Sequence, residues 1–255
     1  LENPADAAVS ARGLIKEYGE GEKRERAVDG LSFDVAFGSS TALLGGNGAG
    51  KTTTMAMLLG LLTPTEGEAR ILGADMAHDR YQVAARMNFS SPYVELPYRL
   101  TIRQNLTVFG NLYGVPKLKD RIAELADDLS LTPLLDRASG QLSAGQKTRL
   151  TLAKALINRP EILLLDEPTA SLDPDTGDYV RRYLSDYLAN TGATMLLASH
   201  NMPEVERLCD QVIMLRDGKI YDAGPPAELI SRYGRQNLEE VFLDIARSGR
   251  GEAGP

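Results

Sequence analysis

The 255-residue sequence predicts an α/β fold in which an antiparallel β layer precedes a mostly parallel core sheet, with a helical insert within the chain. Three observations carry that prediction. "ILLL" in "EILLLDEP" and "MLLA" in "ATMLLASH" are short apolar runs separated by the helix-like "DTGDYVRRYLSDYLAN", the pattern of strands buried on both faces of a parallel sheet. An apolar strand, a Gly-rich turn and a helix follow one another in "STALLGGNGAGKTTTMAMLLGLL". "VSARGLIKEY" and "AVDGLSFDVA" alternate apolar and polar side chains as half-buried antiparallel strands do.

In chain order, "VSARGLIKEY" and "AVDGLSFDVA" read as strands around the charged loop "GEGEKRER", with Asp29-Gly30 as a hinge in the second. Past the Gly-rich turn, Met55, Leu58, Leu59 and Leu62 fall at helical spacing. Strands follow near "GEARIL" and "RMNFSS". From about 93 to 155 the pattern is helical, with Leu118, Ile122, Leu125 and Leu129 on one face. "QVIMLRDGKIYDAG" is a hairpin turning at Asp217-Gly218. After Pro225-Pro226, residues 227 to 248 form a helical appendage with Leu238, Val241, Phe242 and Ile245 on one stripe, and residues 249 to 255 read as a disordered tail. The core domain is therefore expected over 8–225 and the appendage over 226–248.

Composition narrows the function. With 43% apolar residues the chain can bury a sizeable core, and a formal charge of −7 disfavours a partner held by phosphate neutralisation, so no nucleic acid is expected. The single cysteine, Cys209, excludes an intrachain disulfide and a cysteine-based zinc site. No run approaches the roughly 20 apolar residues of a membrane helix, and no basic-then-apolar leader is visible, which points to the cytosolic side.

Gly45 to Thr52, "GGNGAGKT", matches G-x-x-x-x-G-K-T. Without Cβ atoms the turn can aim successive amides inward, and the helix N-terminus adds partial positive charge. Lys51 reaches the β- and γ-phosphates and the Thr52 hydroxyl binds Mg²⁺. The expected nucleotide set is Gly45, Asn47, Gly48, Ala49, Gly50, Lys51, Thr52 and Thr53. At the end of "ILLLD", Asp166 is placed to hold the Mg²⁺ shell and Glu167 to orient and polarise an attacking water. His200 ends a second buried strand and can hydrogen-bond the γ-phosphate. His78 lies in a polar loop and carries no expectation.

Those motifs, with "LSAGQ" at 142 to 146 and "SLD" at 171 to 173, stand in the order and spacing of ATP-binding cassette (ABC) ATPases. Over about residues 8 to 225 the chain resembles an ABC transporter nucleotide-binding subunit, and its ending "NLEEVFLDIA" is most similar to the ABC-2-type exporters. The resemblance implies a P-loop NTPase fold with a RecA-like core, and a role for the second Gly-bearing motif. Ser143, Gly145 and Gln146 would contact the γ-phosphate held by Lys51 of another subunit, whereas in an unrelated protein Ser143 would only cap its helix. It likewise implies that Tyr18 stacks on adenine, rather than packing half-buried in a strand. Asp173 would link the two sites across the dimer, rather than cap the helix ahead of Pro174. Ser90 and Ser91 stand where the family usually has a Gln touching Mg²⁺ and the membrane partner, and Ala144 replaces a Gly.

The expected activity is ATP hydrolysis, catalysed by Glu167, His200 and Lys51. ATP and Mg²⁺ are the cofactors, a second ATPase subunit (identical or different) completes the site, and a transmembrane permease is the partner. The expected place is the cytoplasmic face of the membrane, the expected direction export in the sense of the family, and the expected docking surface the helical insert with the Ser90 to Pro97 loop. Two alternatives stand beside it. A soluble ABC-type machine on nucleic acid or ribosomes is disfavoured by the 92 residues from Lys51 to Ser143, too few for a long coiled coil. A non-hydrolysing ATP clamp would follow from the missing Gln.

Overall fold

The computed structural model describes residues 7–91, 96–170 and 172–248. The expected tail over 249–255 lies outside them. The chain divides into two compact units, residues 1–83 with 196–255 and residues 84–195.

The first unit holds an antiparallel sheet in the order β2-β1-β4-β5, built from β1 (Ala7–Tyr18), β2 (Glu25–Ala36), β4 (Glu66–Ile71) and β5 (Ala74–Asp75). Along β2, Leu31, Phe33 and Val35 are buried while Ser32, Asp34 and Ala36 face out, the two-residue period seen in the sequence. Asp29-Gly30 is not a hinge. β2 runs through it without turning, and Gly30, at φ +77°, is squeezed out between the pairs Ile15 with Asp29 and Leu14 with Leu31. An extra residue in one strand is absorbed as a bulge, and only Gly takes that conformation without strain.

Here too are β3 (Ser40–Gly45), β9 (Gln211–Arg216), β10 (Lys219–Gly224) and β8 (Thr194–Ser199), whose residues from Leu196 on belong to this unit, in the order β10-β9-β3-β8. β3 is parallel to β9, and every residue of β3 and β8 is buried. β9 and β10 form the expected two-residue hairpin: Asp217 and Gly218 have φ of +50° and +74°, as a type I′ turn requires. Helix α1 (Lys51–Leu58) is shorter than the leucine spacing predicts. It stops before Gly60, at φ +64°, where a Cβ would stand 2.5 Å from the Met76 carbonyl, and Leu61 is 66% exposed. α6 (Met202–Leu208), α7 (Pro226–Tyr233) and α8 (Leu238–Ser248) complete the unit, with Leu238, Val241 and Ile245 of α8 buried.

In the second unit β6 (Met87–Ser90) pairs in parallel with β7 (Ile162–Asp166), and four helices carry the rest: α2 (Ile102–Leu112), α3 (Leu118–Asp128), α4 (Ala144–Leu156) and α5 (Pro174–Thr191). α2 and α4 both start with complete capping boxes, Thr101 with Gln104 and Ser143 with Gln146, so the N-cap and third-residue amides of each are satisfied without tertiary help. Leu106, Ile122, Leu125, Leu129 and Leu150 form the apolar interior among α2, α3 and α4. The helices expected within 93–155 thus share their compact unit with β6, β7 and α5.

Candidate functional site

In the first unit the Gly-rich turn joins β3 to α1. Gly48 and Gly50 have φ of +80° and +97°, which curls the backbone into a concave loop, and Gly50 is the N-terminal cap of α1. Packing locks both ends of the loop. A Cβ on Gly45 would meet the Leu215 carbonyl at 2.7 Å and the Ala49 Cβ at 2.8 Å, and one on Gly50 would meet the Ala27 carbonyl at 2.6 Å. Gly46 and Gly48 have open space, so the middle of the loop is bare backbone. Lys51 folds back over it, its Nζ donating to the carbonyls of Gly45 (2.6 Å) and Gly46 (3.1 Å). Gly46, Asn47, Gly48, Ala49, Gly50, Lys51, Thr52 and Thr53 line a cleft of about 410 Å³ together with Glu25, Arg26, Ala27 and Asp217. Tyr18 is paired across the sheet with Glu25 of that lining and is 46% exposed, with Lys16 Nζ 5.6 Å from its ring centre.

His200 follows β8 and is exposed. It immediately precedes a tight cap: Asn201 Oδ1 accepts from the Glu204 amide, and Ser199 Oγ accepts from the Asn201 amide while donating to Glu204 Oε2. The start of α6 therefore holds the backbone on either side of the imidazole.

In the second unit Asp166 and Glu167 end β7. Asp166 is 7% exposed, and the Ser91 hydroxyl lies 3.3 Å from its Oδ2. Glu167 adopts φ +50°, a left-handed conformation that a non-glycine residue rarely takes and that turns its side chain out of the strand. Both carboxylates line a pocket of about 580 Å³ with Ser90, Ser91, Tyr98, Lys147 and Thr151. Ser90 pairs with Leu165 across the parallel strands, so the two serines reach the carboxyl edge of β7 through sheet register. At α4, Ser143 Oγ accepts from the Gln146 amide at 3.3 Å and Gln146 Oε1 from the Ser143 amide at 3.0 Å. That box uses two of the four amides a helix start leaves over, and not those of Ala144 and Gly145. Ser143 and Ala144 are exposed; Ala144 lines the pocket, whereas Ser143, Gly145 and Gln146 do not. Asp173 caps α5, its Oδ1 accepting from the Thr176 amide at 3.0 Å, and that amide holds its carboxyl below the usual carboxylate range. Ser171 and residues 92–95 of the expected docking loop lie outside the described residues.

Arg26, Ala27 and Asp217 reach the first cleft unannounced by any motif. Asp217 is legible as a turn residue, but its place against the Gly-rich loop follows from Gly45 pairing with Leu215 in the parallel register. A buried cation was also missed: Lys154 of α4 is 5% exposed, and its Nζ donates to Asn88 Oδ1 at 3.1 Å and the Phe89 carbonyl at 3.0 Å. Among the described residues, no group of three or more His, Cys, Asp or Glu could hold a metal ion. No helix among them is long and apolar enough to cross a membrane.

Residues 28–170 match the family model described as ABC transporter. A Nod factor export ATP-binding protein I from Ralstonia nicotianae is 37% identical over 92% of this chain and 73% of that protein, and one from Paraburkholderia xenovorans is 38% identical over 93% and 77%. A solved dimeric ATP-binding cassette in a post-hydrolysis state, bound to ADP and Pi, superposes with a TM-score of 0.79 at 24% identity, covering 85% of this chain and 98% of its own.

Proposed function

The chain belongs to the ABC transporter family as an ATP-binding, ATP-hydrolysing subunit of the exporter type, and from that premise we propose that it closes with a second ATPase subunit around two Mg-ATP molecules to drive a separate transmembrane permease from the cytoplasmic face. The observation that supports the reading most is the loop from Gly45 to Thr52: a concave Gly-rich backbone at a helix N-terminus, locked at both ends, with an ammonium already folded over it. Such a cradle is matched to a polyphosphate, since amides, helix end and Lys51 all favour negative charge. Thr52 and Asp166 would hold Mg²⁺; a hydroxyl and a carboxylate are the hard oxygen donors that ion takes. Held there, the ion would supply positive charge to offset the charge that develops on the phosphate. Glu167 orients the attacking water and accepts its proton, while Lys51 and His200 counter charge on the γ-phosphate. Ser143, Gly145 and Gln146 of the other subunit close over that phosphate, Asp173 links the two sites, and Tyr18 stacks on the base.

The test is phosphate release by the chain with its membrane partner, wild type against Glu167→Gln. The expected result is a loss of at least about a hundredfold in rate, with ATP binding retained and an ATP-dependent dimer trapped on size exclusion. Equal rates in the two proteins would remove Glu167 from the mechanism, and negligible rates in both would favour the clamp reading. That second reading rests on Ser91, whose short hydroxyl bonds Asp166 where the family places a longer amide.

A further inference from the structure

The Gly-rich loop has a second side. Gly46, Asn47, Gly48 and Ala49 also line a cleft of about 520 Å³, whose opposite wall is Phe242, Ile245 and Ala246 of α8 and whose floor is Leu215, Arg216 and Asp217. The C-terminal helix therefore faces the loop from behind. Arg216 Nη1 donates to the Ile245 carbonyl at 2.9 Å, in the last turn of α8. A guanidinium there also meets the negative end of the helix dipole. Its position is set in turn by the Tyr221 ring, 5.2 Å from the guanidinium carbon. One residue earlier, Leu215 pairs with Gly45, and its carbonyl, with the Ala49 Cβ, is what a Gly45 Cβ would strike. The contacts thus run from α8 through Arg216 and Leu215 to Gly45 and Ala49, the end of the loop at which Lys51 is anchored. At its other end α8 is fastened independently of the loop: Asn237 caps it through the Glu240 amide, and the Leu238 amide donates to Glu206.

We propose that α8 is a brace for the phosphate loop, with Arg216 and Phe242 as positioning residues that raise nucleotide affinity by holding the end of β9 against Gly45 and Ala49. This rests on the reading of that loop as the ATP cradle. Neither residue needs to touch nucleotide. If docking of α8 tightens binding by some factor, linkage requires nucleotide to tighten the docking of α8 by the same factor. The brace is thus measurable from either end.

The experiment titrates the full-length chain with MgADP, which lacks the γ-phosphate that turnover removes, by calorimetry, and follows hydrogen exchange of residues 238–248 with and without MgADP. Arg216→Met and Phe242→Ala are expected to weaken binding by about fivefold or more, the low end of couplings between sites. In ATP turnover KM should rise while kcat stays within about twofold. Arg216→Lys, whose ammonium can still donate to the Ile245 carbonyl, should restore most of the affinity. Leu243→Ala, on a 40% exposed position of the same helix, should leave it unchanged. MgADP should slow exchange in α8 of the wild type and not of Arg216→Met. Folded variants that bind as well as wild type, or an α8 whose exchange ignores MgADP, would overturn the brace alone. The exchange readout needs no variant to fold. A wild type that does not bind MgADP would overturn the ATP reading together with it.

Discussion

Lys154 is an ammonium buried without a carboxylate partner among the described residues. Its partners are Asn88 Oδ1, the Phe89 carbonyl, and the rings of Phe89 and Phe109, with Nζ 4.6 and 5.5 Å from their centres. Burial pushes it down from the ordinary 10.5 to about 8. At about 1.36 kcal/mol per pH unit, that fall makes the charged form cost the folded state about 3 kcal/mol at neutral pH. Lys154→Met removes the cost but leaves the Phe89 carbonyl without this donor, a loss of about 1–3 kcal/mol. The two effects nearly cancel at pH 7, so the diagnostic quantity is how the difference between wild type and variant changes with pH. Below pH 8 both folded and unfolded lysine hold the proton and the cost is fully present. Between about 8 and 10.5 only the unfolded chain holds it, so stability rises with pH at about 1.4 kcal/mol per unit. Urea unfolding of both proteins from pH 7 to 9.5 should show wild type gaining about 2 kcal/mol on the variant by the upper limit. Other titrating groups cancel in the subtraction. A difference that stays flat within about 0.5 kcal/mol would mean that this lysine does not titrate near 8, and the account of its burial would be wrong.

Three further outcomes are expected. Gly50→Ala places a methyl 2.6 Å from the Ala27 carbonyl at φ +97°, so it should cost more than about 2 kcal/mol in unfolding experiments, while Gly46→Ala, with open space, should stay within about 0.5 kcal/mol; equal losses would refute the packing argument. Ser143→Ala should destabilise by about 1 kcal/mol through loss of the cap and Ser143→Gly by only a few tenths, an order that urea midpoints would reverse if the capping box carried no weight. Cys209 is 7% exposed and burial raises its thiol pKa, so native protein at pH 8 should react with a disulfide reagent at least about a hundredfold more slowly than unfolded chain; comparable rates would show that its surroundings open readily.

The chemistry-bearing stretches were legible because each is local. Strand, Gly-rich turn and helix in Ser40–Leu58 are written in consecutive residues, as is the turn at Asp217-Gly218, and Ser143 stands directly before the helix it caps, although its reciprocal partner Gln146 was not anticipated. Where reading failed, a non-local pairing outweighed a local preference. Asp29-Gly30 looks like a hinge, but β1 pairs along both sides of it and the ladder absorbs the extra residue as a bulge. The leucines after Met55 continue a helical stripe, yet α1 ends where Gly60 must pass against the Met76 carbonyl. Lys154 sits one residue from an alanine in an ordinary amphipathic pattern, and nothing local says that Phe89 and Phe109 will close over it.

By itself the sequence determined where the backbone curls, where a strand ends in carboxylates and where a helix is capped, because each of these demands particular side chains at nearby positions. The tertiary structure decided what stands behind those residues. Leu215 against Gly45, Ala27 against Gly50, Ser91 beside Asp166 and Arg216 under α8 are contacts between segments 23 to 170 residues apart, and they arise from sheet register and helix docking. Packing of that kind depends on the summed fit of many side chains, so no short stretch of sequence can encode it.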